Sequence, residues 1–173
     1  MELRSATATD IPAIIALDPL AKTASRAEFI QRSVQSAVCL VATEAAAVVA
    51  YGVLDYTFFG QAYVSMLYVR ASNRRRGIGT ALMRSLEGLC AREKLFTSTN
   101  RSNQPMQSLL PKLGYVSSGE VENLDEGDPE LHLLQARPPA IRLTTRWSRP
   151  GQLRGIGPKI GSKSWPGGSS RGR

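Results

Sequence analysis

The order of predicted elements places this 173-residue chain in the α+β class. Three short apolar runs, 38–42, 48–57 and 63–69, are separated by turn signals and predict an antiparallel meander. From Ile78 to Leu89 apolar residues recur three or four positions apart, which predicts a helix with one buried face. With the flanking elements, these patterns predict a mixed, mostly antiparallel sheet of about seven strands flanked by about four helices.

A short strand over residues 2–5 and two helices are predicted before the meander. Thr9 or Asp10 can cap the first helix, which runs to about residue 17. Ser25 and Glu28 have the spacing of a capping box, which predicts the start of a second helix that runs to about residue 36. After the long helix, predicted to reach about residue 94, the expected elements are a strand over 95–99, a helix over 103–113, and strands over 115–120 and 131–135.

The basic character of the chain is confined to its last part. Residues 1–134 contain 13 Lys and Arg and 14 Asp and Glu, which gives a net charge of −1. Residues 135–173 contain nine Lys and Arg and no acidic residue, which gives a net charge of +9. We therefore expect a globular domain over 1–135 and a disordered tail over 136–173, rich in Pro, Gly, Ser and Arg. The tail is either a solvated extension or a contact for nucleic acid or a membrane surface, and nucleic-acid binding is expected only through it.

Composition excludes several classes of protein. No apolar run approaches the roughly 20 residues that a membrane helix needs, and the first residues do not resemble a signal peptide. Two cysteines, Cys39 and Cys90, exclude a disulfide scaffold or a Cys-rich zinc site, and they fit a reducing cytoplasm. A single histidine, His132, excludes a multi-histidine metal centre, so no metal is expected.

The loop between Val69 and Ile78 has the chemistry of a phosphate site. It contains three arginines and Gly77, and Gly79 follows in the first turn of the helix. A helix N-terminus presents unpaired N–H groups, which glycines leave accessible to a pyrophosphate. Leu82 stands where a dinucleotide fingerprint needs glycine, and no Gly-Lys-Ser/Thr of a Walker A loop is present. The remaining alternative is a glycine-bearing turn with solvated arginines.

Three segments match the motifs of one known family. They read Leu67-Tyr68-Val69, Arg74-x-x-Gly77-x-Gly79, and Asn103-x-x-Met106 with Leu113-Gly114-Tyr115. They resemble the Leu-x-Val strand end, the Q/R-x-x-G-x-G/A loop and the Asn-x-x-Ala…Leu-Gly-Phe segment of the GNAT (GCN5-related) N-acetyltransferases. The resemblance covers about residues 2–135. It implies acetyl-CoA as co-substrate and a GNAT-like sheet whose central strands, 63–69 and 95–99, splay apart around it.

The resemblance also implies roles for individual residues. Backbone N–H groups from Arg75 to Thr80 would hold the pyrophosphate, Val69 would pair with the pantetheine arm, and Asn103 would lie near the thiol. The N–H of Leu67 would polarise the acetyl carbonyl and so act in catalysis. The implied cofactor-binding set is Leu67, Tyr68, Val69, Arg74, Arg75, Arg76, Gly77, Ile78, Gly79, Thr80 and Asn103.

The acid and base found in many relatives are missing here. Leu110 occupies the position of the usual Tyr acid, and Ser98 that of a Glu base. Asp55 is a candidate base or a solvated strand-end carboxylate. Tyr63 and Tyr115 are candidate proton donors or core residues. The loss of the Tyr should slow acetyl transfer rather than abolish it, because a thiolate is a tolerable leaving group.

The acceptor is expected to be an amine of a small molecule or peptide. Residues 120–130 carry six acids and no basic residue, so they form either a rim that attracts a cationic amine or a solvated loop. Phe58 and Phe59 line an acceptor pocket or simply pack, and His132 is a strand residue or a catalyst. The alternatives are an acyl-CoA-binding or sensor module without turnover, and a nucleic-acid binder acting through the tail. A monomer or a homodimer is expected.

Overall fold

The computed structural model describes residues 1–36 and 38–136. The strands are β1 Glu2–Ser5, β2 Cys39–Glu44, β3 Ala47–Phe58, β4 Gln61–Val69, β5 Lys94–Asn100, β6 Val116–Val121 and β7 Glu130–Ala136. The α-helices are α1 Ile11–Leu17, α2 Ala24–Gln35, α3 Ile78–Leu89 and α4 Gln104–Leu109. Apart from Ala136, the predicted disordered tail lies outside the described residues.

The strands form one mixed sheet in the order β1-β2-β3-β4-β5-β7-β6. Every neighbouring pair is antiparallel except β4 and β5, which are parallel and are connected through α3. The predicted α+β class and the seven-stranded sheet are therefore confirmed. No helix in 1–36 or 38–136 has the length and apolarity needed to cross a bilayer.

A hydrophobic core lies on each face of the sheet. Because successive strand residues point to opposite faces, β3 sends Ala50 and Leu54 to one core and Tyr51 and Val53 to the other. The first core contains the predicted apolar face of α3, and the second packs against α1 and α2. Each fully buried aliphatic side chain contributes about 1.5–3 kcal/mol. Both faces of the central strands are thus fixed by packing.

Two predicted helix ends were wrong. The capping box at Ser25 and Glu28 does not form, because the chain enters α2 earlier and Thr23 is the N-cap residue. Asp10 instead accepts hydrogen bonds from the N–H of Thr7 at 2.8 Å and from Arg4 at 2.7 Å. Helix α3 ends at Leu89 rather than near residue 94, because Cys90 is buried and extended and turns the chain toward β5.

Candidate active site

The loop before α3 leaves a run of backbone amides unpaired. Arg75 and Gly77 have φ angles of +62° and +79°, which turn the chain sharply into the helix. Ala81 is the first residue of α3 whose N–H donates to an acceptor within the described residues, the Gly77 carbonyl at 3.0 Å. The N–H groups of residues 75–80 have no such acceptor there and remain available to a bound anion.

Gly79 faces the gap between the sheet and α4. A Cβ atom there would lie 3.7 Å from Val69 and 3.8 Å from both Leu67 and Leu109, which is ordinary contact distance. A methyl group would fit, but a longer side chain would extend into the space between β4 and α4. At Gly77 the positive φ is the constraint, since a Cβ would meet nothing within 4 Å.

The three predicted cationic arginines differ in their environment. Arg76 forms two hydrogen bonds of 3.0 Å to Glu44 at the end of β2, which also accepts from Asn73 at 2.9 Å. Arg74 donates from Nε to the Val69 carbonyl at 3.0 Å. The side chains of Arg74 and Arg76 are therefore held by the protein itself. The guanidinium of the third arginine, Arg75, has no hydrogen-bond partner within the described residues. Glu44 had no signal in the sequence that linked it to the loop.

The expected opening between the central strands is present. β4 and β5 pair only at Ala62–Leu95, Tyr63–Phe96 and Val64–Thr97. The Thr97 hydroxyl closes the last pair by donating to the Val64 carbonyl at 2.9 Å. Ser65 has no partner in β3, which makes a β-bulge where the pairing ends. Beyond this point the two strands separate toward the N-terminus of α3.

The backbone of Leu67 faces this opening. Antiparallel pairs alternate between hydrogen-bonded and non-bonded residues, and Arg70 donates to the Val49 carbonyl at 2.9 Å. In the same register Leu67 pairs with Gly52 and Val69 pairs with Ala50 as non-hydrogen-bonded pairs. The backbone N–H and C=O groups of Leu67 and Val69 therefore point away from β3. The bond from Arg74 to the Val69 carbonyl agrees with this direction. An acyl group lying in the opening would therefore meet the Leu67 N–H.

Two hydroxyl groups meet beside the end of the pairing. The oxygens of Tyr63 and Ser98 lie 2.5 Å apart. Burial raises the pKa of Tyr63, the nearby charges of Glu130 and Asp55 raise it further, and the Ser98 bond opposes them. The phenol is therefore neutral and protonated at neutral pH.

Phe58 lies against the same site. Its ring stacks on Tyr63 at 4.9 Å between centroids and on His132 at 5.3 Å, whereas Phe59 is 89% exposed. Phe59 contacts the cluster only edge-on, with its ring centroid 5.0 Å from that of Phe58.

Other predicted site residues have structural contacts. Leu110 is fully buried in the core, and its aliphatic side chain offers no proton to a thiolate. Asn103 caps α4 by accepting from the Met106 N–H at 3.3 Å. Asp55, opposite Tyr63, accepts from the Thr57 N–H and hydroxyl through one oxygen. Tyr115 is buried in the core.

Half of the acidic segment holds the β5–α4 loop. Asp128 accepts from the N–H of Ser102 at 2.8 Å and from its hydroxyl at 2.6 Å, and these bonds lower the pKa of that carboxyl. Asp125 accepts from Asn100 at 2.8 Å, and Glu120 pairs with Arg101 at 2.5 Å. Among the residues that the structure describes, three of the six acids in the segment thus have protein partners, and only Glu120 is paired with a cation. No set of three or more His, Cys, Asp and Glu side chains that could bind a metal occurs in 1–36 and 38–136.

Comparisons with known proteins agree with this geometry. Residues 10–115 match the model of the acetyltransferase (GNAT) family. An acetyltransferase of the GNAT family from Bacillus cereus is 30% identical, covers 79% of this chain and 97% of its own, and has a TM-score of 0.73. A ribosomal-protein-alanine N-acetyltransferase from Brucella melitensis is 20% identical, with 79% and 99% coverage and a TM-score of 0.66.

A third similar structure is that of a Salmonella typhimurium protein with its cofactor acetyl-CoA. It is 17% identical, with coverage of 79% of this chain and 93% of that chain and a TM-score of 0.66. No curated protein sequence matches the chain.

Proposed function

The chain belongs to the GNAT family of acetyltransferases, and from this premise we propose that it transfers the acetyl group of acetyl-CoA directly to an amine of a small molecule or peptide. The observation that carries the proposal is the run of unpaired amides at residues 75–80 beside the opening between β4 and β5. An anion-binding helix start and a strand edge without a partner are thus joined in one continuous site.

The cosubstrate would be held mainly by backbone groups. The N–H groups from Arg75 to Thr80 would bind the pyrophosphate, and the free guanidinium of Arg75 would add charge. The Val69 backbone would pair with the pantetheine arm, which requires Arg74 to release the Val69 carbonyl. The Asn103 amide group, beyond its capping oxygen, would lie near the thiol end.

Leu67 would stabilise the charge that develops on the acetyl oxygen. Its N–H is fixed by the bulge at Ser65 and points away from β3. A preorganised N–H donor of this kind contributes about 2.7–4 kcal/mol to acyl transfer in enzymes where one has been removed. The residue type matters little for this role, because the backbone makes the bond.

Removal of a proton from the acceptor is the second requirement. An alkylamine with a pKa of about 10.4 is almost fully protonated at neutral pH, and deprotonation costs about 4–5 kcal/mol. Asp55 keeps one carboxylate oxygen free of hydrogen bonds within the described part of the chain and remains a candidate base. Its negative charge would also attract an ammonium group to the Tyr63 side of the sheet.

The direct test is release of free coenzyme A from acetyl-CoA in the presence of spermidine, kanamycin, free amino acids or short peptides. We expect one class of amine to accelerate thiol release well above the rate with acetyl-CoA alone. Calorimetry with acetyl-CoA measures binding independently. Binding without any amine-dependent release would support the second candidate, an acyl-CoA sensor, which the buried Leu110 and the Ser98 substitution favour.

We assign this activity to residues 1–135 and place it in the cytoplasm, because Cys39 and Cys90 are free, buried thiols. A monomer or a homodimer would serve it equally. Deletion of residues 137–173 should leave amine acetylation unchanged. Any nucleic-acid binding that the full chain has should disappear with this deletion and weaken steeply with salt.

A further inference from the structure

Two buried polar atoms without a partner lie close to the end of the β4–β5 pairing. Within the described residues, neither the Ser65 hydroxyl in the bulge nor Nδ1 of His132 has a hydrogen-bond partner. A buried polar group left unsatisfied costs about 1–3 kcal/mol, so the unpartnered Nδ1 of His132 would gain from accepting a hydrogen bond or a proton.

His132 lies in line with the Tyr63–Ser98 pair. Ser98 is directly opposite His132 in the β5–β7 pairing, and such side chains have Cβ atoms about 4.5–5.5 Å apart on one face of the sheet. Tyr63 pairs with Phe96, two residues before Ser98, and therefore shares that face. The three side chains form a row across the adjacent strands β4, β5 and β7.

Phe58 fixes both ends of this row. Its ring is nearly parallel to that of Tyr63, at 17°, and to that of His132, at 18°. Tyr63, Ser98 and His132 are all half-buried beside the Phe58 ring. The row therefore packs against the Phe58 ring. The neutral phenol of Tyr63 is at one end of the row, and the unpartnered Nδ1 of His132 is at the other.

We propose that His132 takes the proton that the acceptor ammonium loses, through Tyr63 and Ser98. The inference rests on the proposed amine acetylation. The ammonium gives a proton to the Tyr63 oxygen, the phenol proton moves to Ser98, and the Ser98 proton moves to Nδ1 of His132. Ser98 and His132 are not hydrogen-bonded to each other in the described structure. The transfer from Ser98 to His132 therefore passes through one water molecule or requires the Ser98 hydroxyl to rotate.

The reaction then balances without another reactant. The neutral amine forms a C–N bond to the acetyl carbonyl carbon, the C–S bond breaks, and the second amine proton goes to the leaving thiolate. His132 returns its proton to solvent. This row would supply the function of the Glu base whose position Ser98 occupies, and the amine itself would supply the proton that the missing Tyr gives to the thiolate.

The test compares His132→Ala, Ser98→Ala and Tyr63→Phe with wild type, using the panel amine that wild type acetylates fastest. We expect kcat to fall about 100-fold or more in each, because general acid–base catalysis contributes about 10²–10⁴-fold, with the KM for acetyl-CoA unchanged. Added imidazole should restore much of the rate of His132→Ala and none of that of Tyr63→Phe. Tyr56→Phe, on β3 and outside the row, is the matched control with wild-type kcat.

Asp55→Asn separates this proposal from the competing base. If that variant loses activity while His132→Ala keeps it, or if imidazole fails to rescue a folded His132→Ala, the relay is overturned. Calorimetric acetyl-CoA binding serves as the check on folding for every variant, and His132→Gln replaces His132→Ala if the latter does not fold. If wild type binds acetyl-CoA and acetylates no amine, it is the proposed function that fails, and the relay fails with it.

Discussion

Glu44 and Arg76 form a two-bond ion pair, at 3.0 Å for each bond, that attaches the loop between β4 and α3 to the end of β2. The same carboxylate accepts from the buried Asn73, so one strand-end acid holds two points of the loop. The side chain of Arg76 therefore holds the loop, while its backbone N–H has no protein acceptor within the described residues. The contacts of Glu44, Asn73, Arg74 and Arg76 that hold the loop use none of the amides of residues 75–80.

Glu44→Ala should lower the free energy of unfolding by about 1–2 kcal/mol. The exposed ion pair contributes about 0.2–1 kcal/mol, and the lost bond to Asn73 contributes about 1 kcal/mol. Glu44→Gln should lose less, since its amide oxygen still accepts from Asn73. Urea denaturation measures both, and Glu28→Ala, an exposed acid of α2, is the control. An equal loss for Gln and Ala would contradict the two-contact account.

The double variant Gly77→Glu, Gly79→Glu should lose acetyl-CoA binding, measured by calorimetry, without unfolding. A carboxylate at position 79 would fill the gap beside Val69 and Leu109 and repel the pyrophosphate. Because a left-handed φ at 77 costs a non-glycine residue about 1–2 kcal/mol, Gly79→Glu alone is the second variant. The matched control is Gly88→Glu, where a Cβ would have nothing within 4 Å. Unaltered affinity in Gly79→Glu would refute the pyrophosphate site.

Periodicity and glycine placement were enough to predict the sheet, α3 and the sharp turn that leads into α3. These features depend on residues close together in the chain, such as the apolar positions of α3 and the glycines before it. The opening between β4 and β5 was expected from the family resemblance, and the pairing pattern confirms it.

Contacts between distant residues could not be predicted in this way. Tyr63 and Ser98 are 35 residues apart, and Glu44 and Arg76 are 32 apart, so each contact depends on strand register that no local pattern encodes. The predicted capping box at Ser25 does not form, for a different, local reason. Thr23 lies two residues earlier and is also a good N-cap residue, so the chain had two local solutions.

Replacement of Ala45-Ala46 by Asn-Gly should raise the free energy of unfolding by about 1–2 kcal/mol. Both alanines connect β2 and β3 with positive φ, +46° and +64°, where a side chain other than Asn or Gly is strained by about 1–2 kcal/mol per residue. Asn relieves only part of this strain, and the greater entropy that glycine loses on folding offsets part of the gain. Urea denaturation measures the gain, and acetyl-CoA binding should not change. Ala47→Gly, one residue later in β3, should instead destabilise by about 0.5–1 kcal/mol. If both variants shift stability in the same direction, turn strain is not the cause.

Asp10 should make part of the stability of the chain dependent on acid pH. The Arg4 guanidinium bonds to this buried carboxyl and holds its pKa well below the usual range, and the Thr7 bonds act in the same direction. Because the folded pKa is depressed, the stabilisation is complete above the unfolded pKa of about 3.9 and is lost as pH falls below it. Hydrogen bonds to a charged group contribute about 1.5–3 kcal/mol, and Asp10→Asn should lose about that much at pH 7.

The loss in Asp10→Asn should shrink as pH falls from 5 toward 2, because wild type then loses the same interaction by protonation. Urea midpoints measured across this range provide the comparison. Glu126→Gln, an exposed carboxyl of the β6–β7 loop, should follow wild type at every pH. A constant gap between Asp10→Asn and wild type down to pH 2 would mean that packing, rather than the charge on Asp10, is responsible for its contribution.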